Sequence, residues 1–574
     1  MLLTRQKVST PRASGQPNVI WICGTPYKVD VADVECEIVM ARYAYESFPY
    51  HTPPELSGEA ASDAPVLIVG AGPIGLASAV DLATRGIASI VLDDNNVVSV
   101  GSRAICWAKR SLEIFDRLGV ADRMLAKGVT WKLGRVYRGD DEIYSFDLLP
   151  EDGHKFPAFI NLQQYYVEQF LVERCADFPE LIDLRFKNKV MSVTQDDDNV
   201  TASIQTPDGI YDICGAYLLA CDGANSRLRK QFGLDFDGRH FDERFLIADV
   251  EMEADFPSER WFWFTPTFHK GQSALLHKQP DNIYRIDLQL GPDADPDEEK
   301  KPENVIPRIE KIVGGRPFKL DWVSIYDFNC RRIDRFIHNR VIFVGDSAHV
   351  VSPFGARGGN GGIHDIDNLG WKLAAVITGQ ANPNLLESYN EERVFGADEN
   401  IRNSSWTSRF MSPDGEVEMA FRNAVLGLSV NAPFARRLVN AGRLSLPCQL
   451  GHSSLTYKAD DEFDVQMTLG APCMDAPLTN KDGDHVWLMN QLGNGFTLLV
   501  IGVPLCDVPD NLDCIHIDAN GDFIDIEGLV TKRYGAGVYL IRPDQHVTAR
   551  WLSDKVSATD ITAALARAYA RTTA

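Results

Sequence analysis

The sequence predicts an α/β fold, and three observations carry that expectation. A short apolar strand, Val66-Leu-Ile-Val69, runs into the glycine turn Gly70-Ala-Gly72-Pro-Ile-Gly75 and then a helix pattern at Leu76, Ala79, Val80 and Ala83. In mid-chain two alternating stretches, 273–279 and 283–290, flank Pro280-Asp-Asn282 and read as an antiparallel hairpin. From about Val465 the pattern changes to a tail with the apolar strand Phe496-Thr-Leu-Leu-Val-Ile501 and an alanine-rich amphipathic helix near 558–570. The expected architecture is a Rossmann-like dinucleotide-binding domain, an inserted β-sheet domain, and an independent C-terminal α/β domain.

Residues 1–62 are rich in Pro, Gly and polar side chains, with aromatics at Tyr43, Tyr45, Phe48 and Tyr50, and read as an N-terminal arm that lays its rings on a neighbouring surface. In the turn, Gly70 permits the bend, Gly72 lets backbone approach a pyrophosphate, and Gly75 lets helix and strand pack closely. The helix N-terminus then faces the phosphate. A second strand, 88–92, delivers Asp93 about 20 residues on, where an acid holds a ribose hydroxyl pair. Further along come Gly101-Ser-Arg103 with Arg110-Ser-Leu-Glu113, and Ala220-Cys-Asp222-Gly223 after an apolar strand. They are followed by Val341-Ile-Phe-Val-Gly345-Asp346 and the run Pro353-Phe-Gly-Ala-Arg-Gly358-Gly359-Asn360-Gly-Gly before an expected helix 363–375. Asp346, at a strand end, can accept two sugar hydroxyls, and the glycines let backbone N–H groups approach a flat ring.

In the hairpin, His277 is expected opposite Arg285, and Leu275 opposite Asp287. One face carries Leu276, Tyr284, Ile286 and Leu288; the other carries His277, Gln279, Arg285, Asp287 and Gln289. That polar face either meets solvent or roofs a cleft. Trp261-Phe-Trp-Phe264 reads as core in preference to an aromatic cage. His364, Asp365 and Asp367 read as helix-capping groups and not as a metal site, and Asp346, Ser347 and His349 are too close in sequence to form a nucleophilic triad.

The 80 Asp and Glu against 57 Lys and Arg leave a net charge of -23, which argues against nucleic acid and anionic membrane as partners. Eleven scattered cysteines without a C-x-x-C pair suit a reducing cytoplasm, and neither an export signal nor a transmembrane run is legible.

The three ordered motifs, spanning roughly 64–445, resemble the class A flavoprotein aromatic hydroxylases, the group of para-hydroxybenzoate, phenol and hydroxyphenylpropionate hydroxylases. The resemblance implies FAD-binding segments 63–245 and 330–445, a substrate-binding sheet domain at 246–329, and a thioredoxin-like domain at 465–574. Implied cofactor contacts are Gly70, Gly72, Gly75, Asp93, Arg103, Gln164, Asp222, Gly223, Asp346, Gly358, Gly359 and Asn360. Arg285, and Pro353 in the loop beside the flavin, are implied to serve catalysis. His277 is a candidate base, with Gln279 and Asp287 also on the substrate side. The implied chemistry uses NADH or NADPH, O₂ and a flavin C4a-hydroperoxide to hydroxylate a small aromatic substrate in aromatic compound catabolism, by a homodimer or higher homo-oligomer.

Two departures from the family pattern matter. The carboxylate-binding arginine of para-hydroxybenzoate hydroxylase falls on Gln279, and the phenol-deprotonating aspartate falls on Ile105. Epoxidation or Baeyer-Villiger oxygenation of a polycyclic or non-phenolic substrate is therefore the alternative within the fold, and a non-catalytic flavin-binding scaffold the alternative of another class. In the tail the absence of C-x-x-C assigns the domain to structure or subunit contacts, with Cys473 as the one redox candidate.

Overall fold

The computed structural model describes residues 19–22, 25–28, 43–57, 64–291, 293–413, 415–439, 444, 446–457, 465–504, 508–510, 512–552 and 556–571. The chain divides into two units, 1–44 and 45–574. In the first, Val19–Ile22 and Thr25–Lys28 pair as an antiparallel hairpin. The rest of the arm expected at 1–42, and residues 58–62, lie outside the described residues.

Within the second unit, a six-stranded sheet runs in the order Ile182–Phe186, Ser89–Asp93, Val66–Val69, Tyr217–Ala220, Val341–Phe343, Ile337–His338, parallel except for the last strand. The four residues of Val66–Val69 are all buried, as a strand covered on both faces requires. Helix Pro73–Thr84 follows directly, with Gly72 as its N-cap and Pro73 at its first position, where the missing N–H costs nothing. Helix Gly358–Ile377 packs against it, and the strands and these helices share one core.

That second helix starts five residues earlier than the expected 363. The glycines 358, 359, 361 and 362 form its first turns, against their intrinsic propensity. Packing outweighs propensity here: a Cβ on Gly362 would lie 2.6 Å from Ile74 Cδ1, and one on Gly359 3.4 Å from Trp107. His364, Asp365 and Asp367 consequently sit past the first turn and do not cap it. Asp365 instead accepts from Arg393 at 2.6 Å and pairs with His349 at 2.7 Å, while Asp367 holds Arg110 and Arg117.

An eight-stranded sheet stands beside the dinucleotide unit, in the order His349–Val350, Lys319–Arg332, Asp237–Glu251, Ile283–Leu290, Ser273–Lys278, Arg260–Phe264, Leu133–Arg138, Asp141–Asp147. It is wider than the segment 246–329, because 133–147 and 349–350 add strands at its two ends. The hairpin register is as expected: His277 pairs with Arg285 and Leu275 with Asp287. Trp261 and Trp263 pack with Tyr137 on one face, and Phe262 and Phe264 join Phe410 on the other, so the aromatic tetrad is core.

The tail forms a seven-stranded mixed sheet around Thr497–Ile501, Gly537–Ile541 and Val547–Trp551. One face of this sheet is not self-sufficient. Leu498, Val500, Val538 and Trp551 share a core with Trp371, Ala375 and Leu385 of the dinucleotide unit. The independent domain read from the sequence is thus joined to its neighbour through a common apolar interior.

Candidate functional site

A cavity of about 1090 Å³ runs from the glycine turn to the polar face of the large sheet. Its lining includes Gly70, Gly72, Asp93, Arg103, Gln164, Asp222, Gly223, Asp346, Pro353, Gly358, Gly359 and Asn360, and at the sheet His277, Arg285 and Asp287. Gly75 and Gln279 lie outside that lining. Gly75 serves packing, since a Cβ there would come 1.8 Å from Gly70 O. Gln279 is 1 % exposed and donates to Asp249 at 3.1 Å.

At the turn, Gly70 takes φ +108°, a conformation L side chains rarely adopt, and a Cβ there would lie 2.5 Å from Cys221 O. A Cβ on Gly72 would meet no atom within 4 Å, so the backbone here presents a bare, open cradle. Asp93 ends its strand and accepts from Ala71 N at 2.6 Å and Asn95 N at 2.8 Å. Asp222 Oδ2 accepts from Arg227 N and Leu228 N, at 2.7 and 3.1 Å, while its Oδ1 is buried without a partner. Asp346 occupies a tight turn, Gly345–Ser347, and lines the cavity with its side chain exposed; desolvation by the surrounding fold raises its pKa above the ordinary carboxylate value. Open backbone at a helix N-terminus, an acid ending the second strand, and two further carboxylates with free acceptor capacity fit an elongated dinucleotide with sugar hydroxyls.

Other expected contacts are partly committed to the protein. Gln164 accepts from Ala104 N at 3.2 Å and donates to Ser99 and Glu168, fixing the 99–104 loop. Asn360 accepts from Ala108 N at 2.9 Å and donates to the carbonyls of Cys106 and Ala356, clamping strand Cys106–Ala108 to the glycine helix. Arg285 holds Asp249 in a two-pronged ion pair at 2.8 Å and donates to Ser102 O at 2.6 Å.

At the sheet end, the polar face roofs the cavity and is not a solvated surface. His277 is 3 % exposed, and its Nε2 stands 3.8 Å from Asp287 Oδ2. Burial, followed by Arg260 and Arg285, drives its pKa well below the ordinary imidazole value, so it is neutral at pH 7. Burial pushes Asp287 up to about 6. His277 Nδ1 and Asp287 Oδ1 are both buried without a protein partner. A neutral imidazole nitrogen without a protein partner can share a hydrogen bond with a ring hydroxyl.

Cys106 and Arg260 are among the lining residues that the sequence reading does not assign to the site. Burial raises the Cys106 thiol to about 11, which makes it inert. Arg260 places a guanidinium on the face where Gln279 supplies none. Its signal was strand period: 260, 262 and 264 share a face, and Arg260 pairs with His277.

The model of the FAD binding domain family matches residues 63–404. A flavin-dependent monooxygenase of Mycobacteroides abscessus is 33% identical over 349 residues, covering 57% of this chain and 71% of its own. A 3-(3-hydroxy-phenyl)propionate/3-hydroxycinnamic acid hydroxylase of Mycolicibacterium smegmatis is 26% identical, with 76% of each chain covered. A 12-dehydrotetracycline 5-monooxygenase/anhydrotetracycline 6-monooxygenase of Streptomyces rimosus is 28% identical over 86% of this chain and 96% of its own. The crystal structure of the flavin-dependent monooxygenase PieE superposes with TM-score 0.75 at 24% identity, over 89% of this chain and 99% of that one, a likeness of fold. These relatives are enzymes, and the non-catalytic scaffold is set aside. With a match to three fifths of its length and a cavity that fits the cofactor, this chain belongs to the FAD binding domain family and is an FAD-dependent monooxygenase.

Proposed function

We propose that this enzyme inserts one oxygen atom of O₂ into an aromatic substrate, using NADH or NADPH as reductant. The observation that carries the proposal is the continuity of the cavity from the glycine turn to the His277–Asp287 pair. The pyrophosphate of FAD would lie on Gly70, Gly72 and the N-terminus of helix Pro73–Thr84, with Asp93 on the adenosine ribose. Arg103, Gln164, Asp222 and Gly223 would line its course, Asp346 would accept the ribityl hydroxyls, and Pro353 with Gly358 to Asn360 would flank the ring. When bound, the flavin supplies oxygen activation, which no side chain provides.

The chain's own part is to orient the substrate, exclude water and hold a proton. His277 Nδ1 is the acceptor for a substrate hydroxyl, with Asp287 facing the other ring nitrogen. Arg285 acts as a positioning residue, tying the 102–103 backbone to the sheet. A polycyclic substrate, oxygenated by hydroxylation, epoxidation or Baeyer-Villiger insertion, is the second reading; it is favoured by the tetracycline-type relative, which matches this chain over 96% of its own length.

Cys473 is buried, with its thiol pushed up to about 12, which leaves the thioredoxin-like reading of the tail as a structural role in a reducing cytoplasm. Exposed apolar side chains at Val417, Phe421 and Leu428, beside Phe434 and Leu438, suit a homo-oligomer contact. No helix among the described residues is long and apolar enough to cross a membrane.

The test is a substrate panel of phenols and polycyclic aromatics given to the purified yellow protein. NAD(P)H and O₂ consumption should rise with a ring substrate, and its product should be one oxygen heavier. Stimulation by no phenol but by a polycycle selects the second reading, and no stimulated consumption with any ring sinks both.

A further inference from the structure

Five residues from adjacent strands form a row across the cavity face of the large sheet. Arg260 pairs with His277, His277 with Arg285, Arg285 with Asp249, and Asp249 with Trp322. Within this row the charges are unevenly matched. Arg285 and Asp249 neutralise one another at 2.8 Å, and His277 is neutral. Arg260 has no such match. It is 7 % exposed, makes no hydrogen bond and no ion pair among the described residues, and its Nε is buried without a partner. Other arginines buried at least as deeply are all partnered: Arg110, Arg285, Arg393 and Arg542 hold Asp367, Asp249, Asp365 and Glu392 respectively, while Arg229, Arg422 and Arg533 donate to backbone carbonyls.

A buried guanidinium cannot escape its charge by losing a proton, so its N–H groups require acceptors, and an anion is the strongest of these. The acid nearest to hand is a poor one. Asp287 lies beyond ion-pair reach of Arg260, and burial leaves it partly protonated near neutral pH. Arg260 lines the same cavity as His277 and Asp287, and on the sheet it pairs directly with His277.

We infer that the substrate carries an oxyanion, either a carboxylate or the oxygen of an acidic enol or phenol, and that Arg260 receives it. This rests on the oxygenase reading for the identity of the cavity's occupant, but not on the chemistry that follows binding. The planar fork of the guanidinium suits a two-oxygen anion. Arg260 then sets specificity, selecting anionic rings and orienting them against His277, while neutral rings of the same shape leave its charge uncompensated.

The test uses the FAD-loaded enzyme and matched ligand pairs, with binding read from the perturbation of flavin absorbance. One arm sets aromatic carboxylates against their primary amides; the other sets enolic polycycles against their O-methyl ethers. Wild type should bind the anion of at least one arm about ten- to a hundredfold more tightly than its neutral partner, and the arm that shows it identifies the oxyanion. Arg260→Gln should lose that preference, weakening the anion without weakening its neutral partner, and Arg260→Lys should restore part of it. FAD content and Tm serve as the check on folding; if the Gln variant fails it, the Lys variant is read for a reduced preference. Equal binding of anion and neutral partner in both arms, absence of anion binding, or an undiminished preference in the variant overturns the inference. NAD(P)H consumption is read separately: anion-selective binding lost in Arg260→Gln, with no oxygenation of any ligand, would uphold Arg260 and sink the oxygenase reading.

Discussion

Asp287 is a carboxyl that the fold has made reluctant to ionise. Burial lifts it to about 6 from an ordinary 3.8, with Arg285 and Arg260 pulling weakly the other way. Between those values the folded state binds more protons than the unfolded one, so this group's contribution to stability is fully present below pH 4 and is lost as pH rises through 6. The window of about two pH units sets an upper bound of about 3 kcal/mol. Asp287→Asn removes the ionisation and keeps the shape. Its Tm should therefore fall less than that of wild type between pH 4.5 and pH 7, measured by thermal melting of the FAD-loaded protein. An identical pH dependence in the two proteins would place the proton elsewhere, with His277 the first alternative. The same pair explains why the candidate base is only partly legible in the sequence. Hairpin register put His277 and Asp287 on one face, but the depth that makes the imidazole neutral and the carboxyl weak is set by distant strands.

At the scale of the element, the glycine turn separates two roles that sequence spacing treats alike. Gly70 and Gly75 are required by the protein itself: their missing side chains leave room for Cys221 O and Gly70 O. Gly72 is required by nothing in the protein, because an added Cβ would meet only the cavity. Gly72→Ala should fold with a Tm within a few degrees of wild type, yet retain FAD at least about tenfold less tightly, since the methyl occupies the cradle. Gly70→Ala should lose stability outright, because its φ of +108° is strained for alanine before any clash is counted. Flavin absorbance after gel filtration, set beside Tm, distinguishes the two outcomes. A Gly72→Ala protein that stays fully yellow would contradict the placement of the pyrophosphate. The strand, turn and helix around these glycines were legible because local spacing dictates them. The start of helix Gly358–Ile377 was not, because its glycines read as loop until Ile74 and Trp107 are brought against them. Arg260 is hidden for a related reason: its strand shows chiefly aromatic rings in the sequence, and only the pairing of Arg260 with His277 brings the guanidinium to the cavity.

At the scale of the whole molecule, the tail is locked to the dinucleotide unit by charge as well as by the shared apolar core. Arg542 donates to both oxygens of Glu392, at 2.6 and 2.9 Å, and also holds Asp544. Lys372 reaches Glu392 at 2.7 Å and Asn368 at 2.8 Å, and burial draws its pKa down to about 8. Arg110 in turn donates to Asp544 O at 2.7 Å and to Gln545 at 3.1 Å. Every one of these side chains is at most 4 % exposed, so each depends on the others for its charge balance. Such a network contributes little compared with a well-packed apolar replacement, but removing one member strands the rest. Arg542→Met deletes the cation between Glu392 and Asp544, leaving Lys372 on Glu392 and only His546 within ion-pair distance of Asp544. The expected cost is about 3–5 kcal/mol. Because the core under the tail includes Trp371 and Ala375 of helix Gly358–Ile377, loosening the tail should also weaken the flavin end of that helix. Limited proteolysis should cut Arg542→Met between the FAD-binding segments and the tail under conditions that spare wild type, and bound flavin should be lost in the same temperature range. Tail release with flavin retained would show that the two ends of the helix are energetically separate, and an uncut variant of unchanged Tm would show that the apolar core alone holds the tail in place.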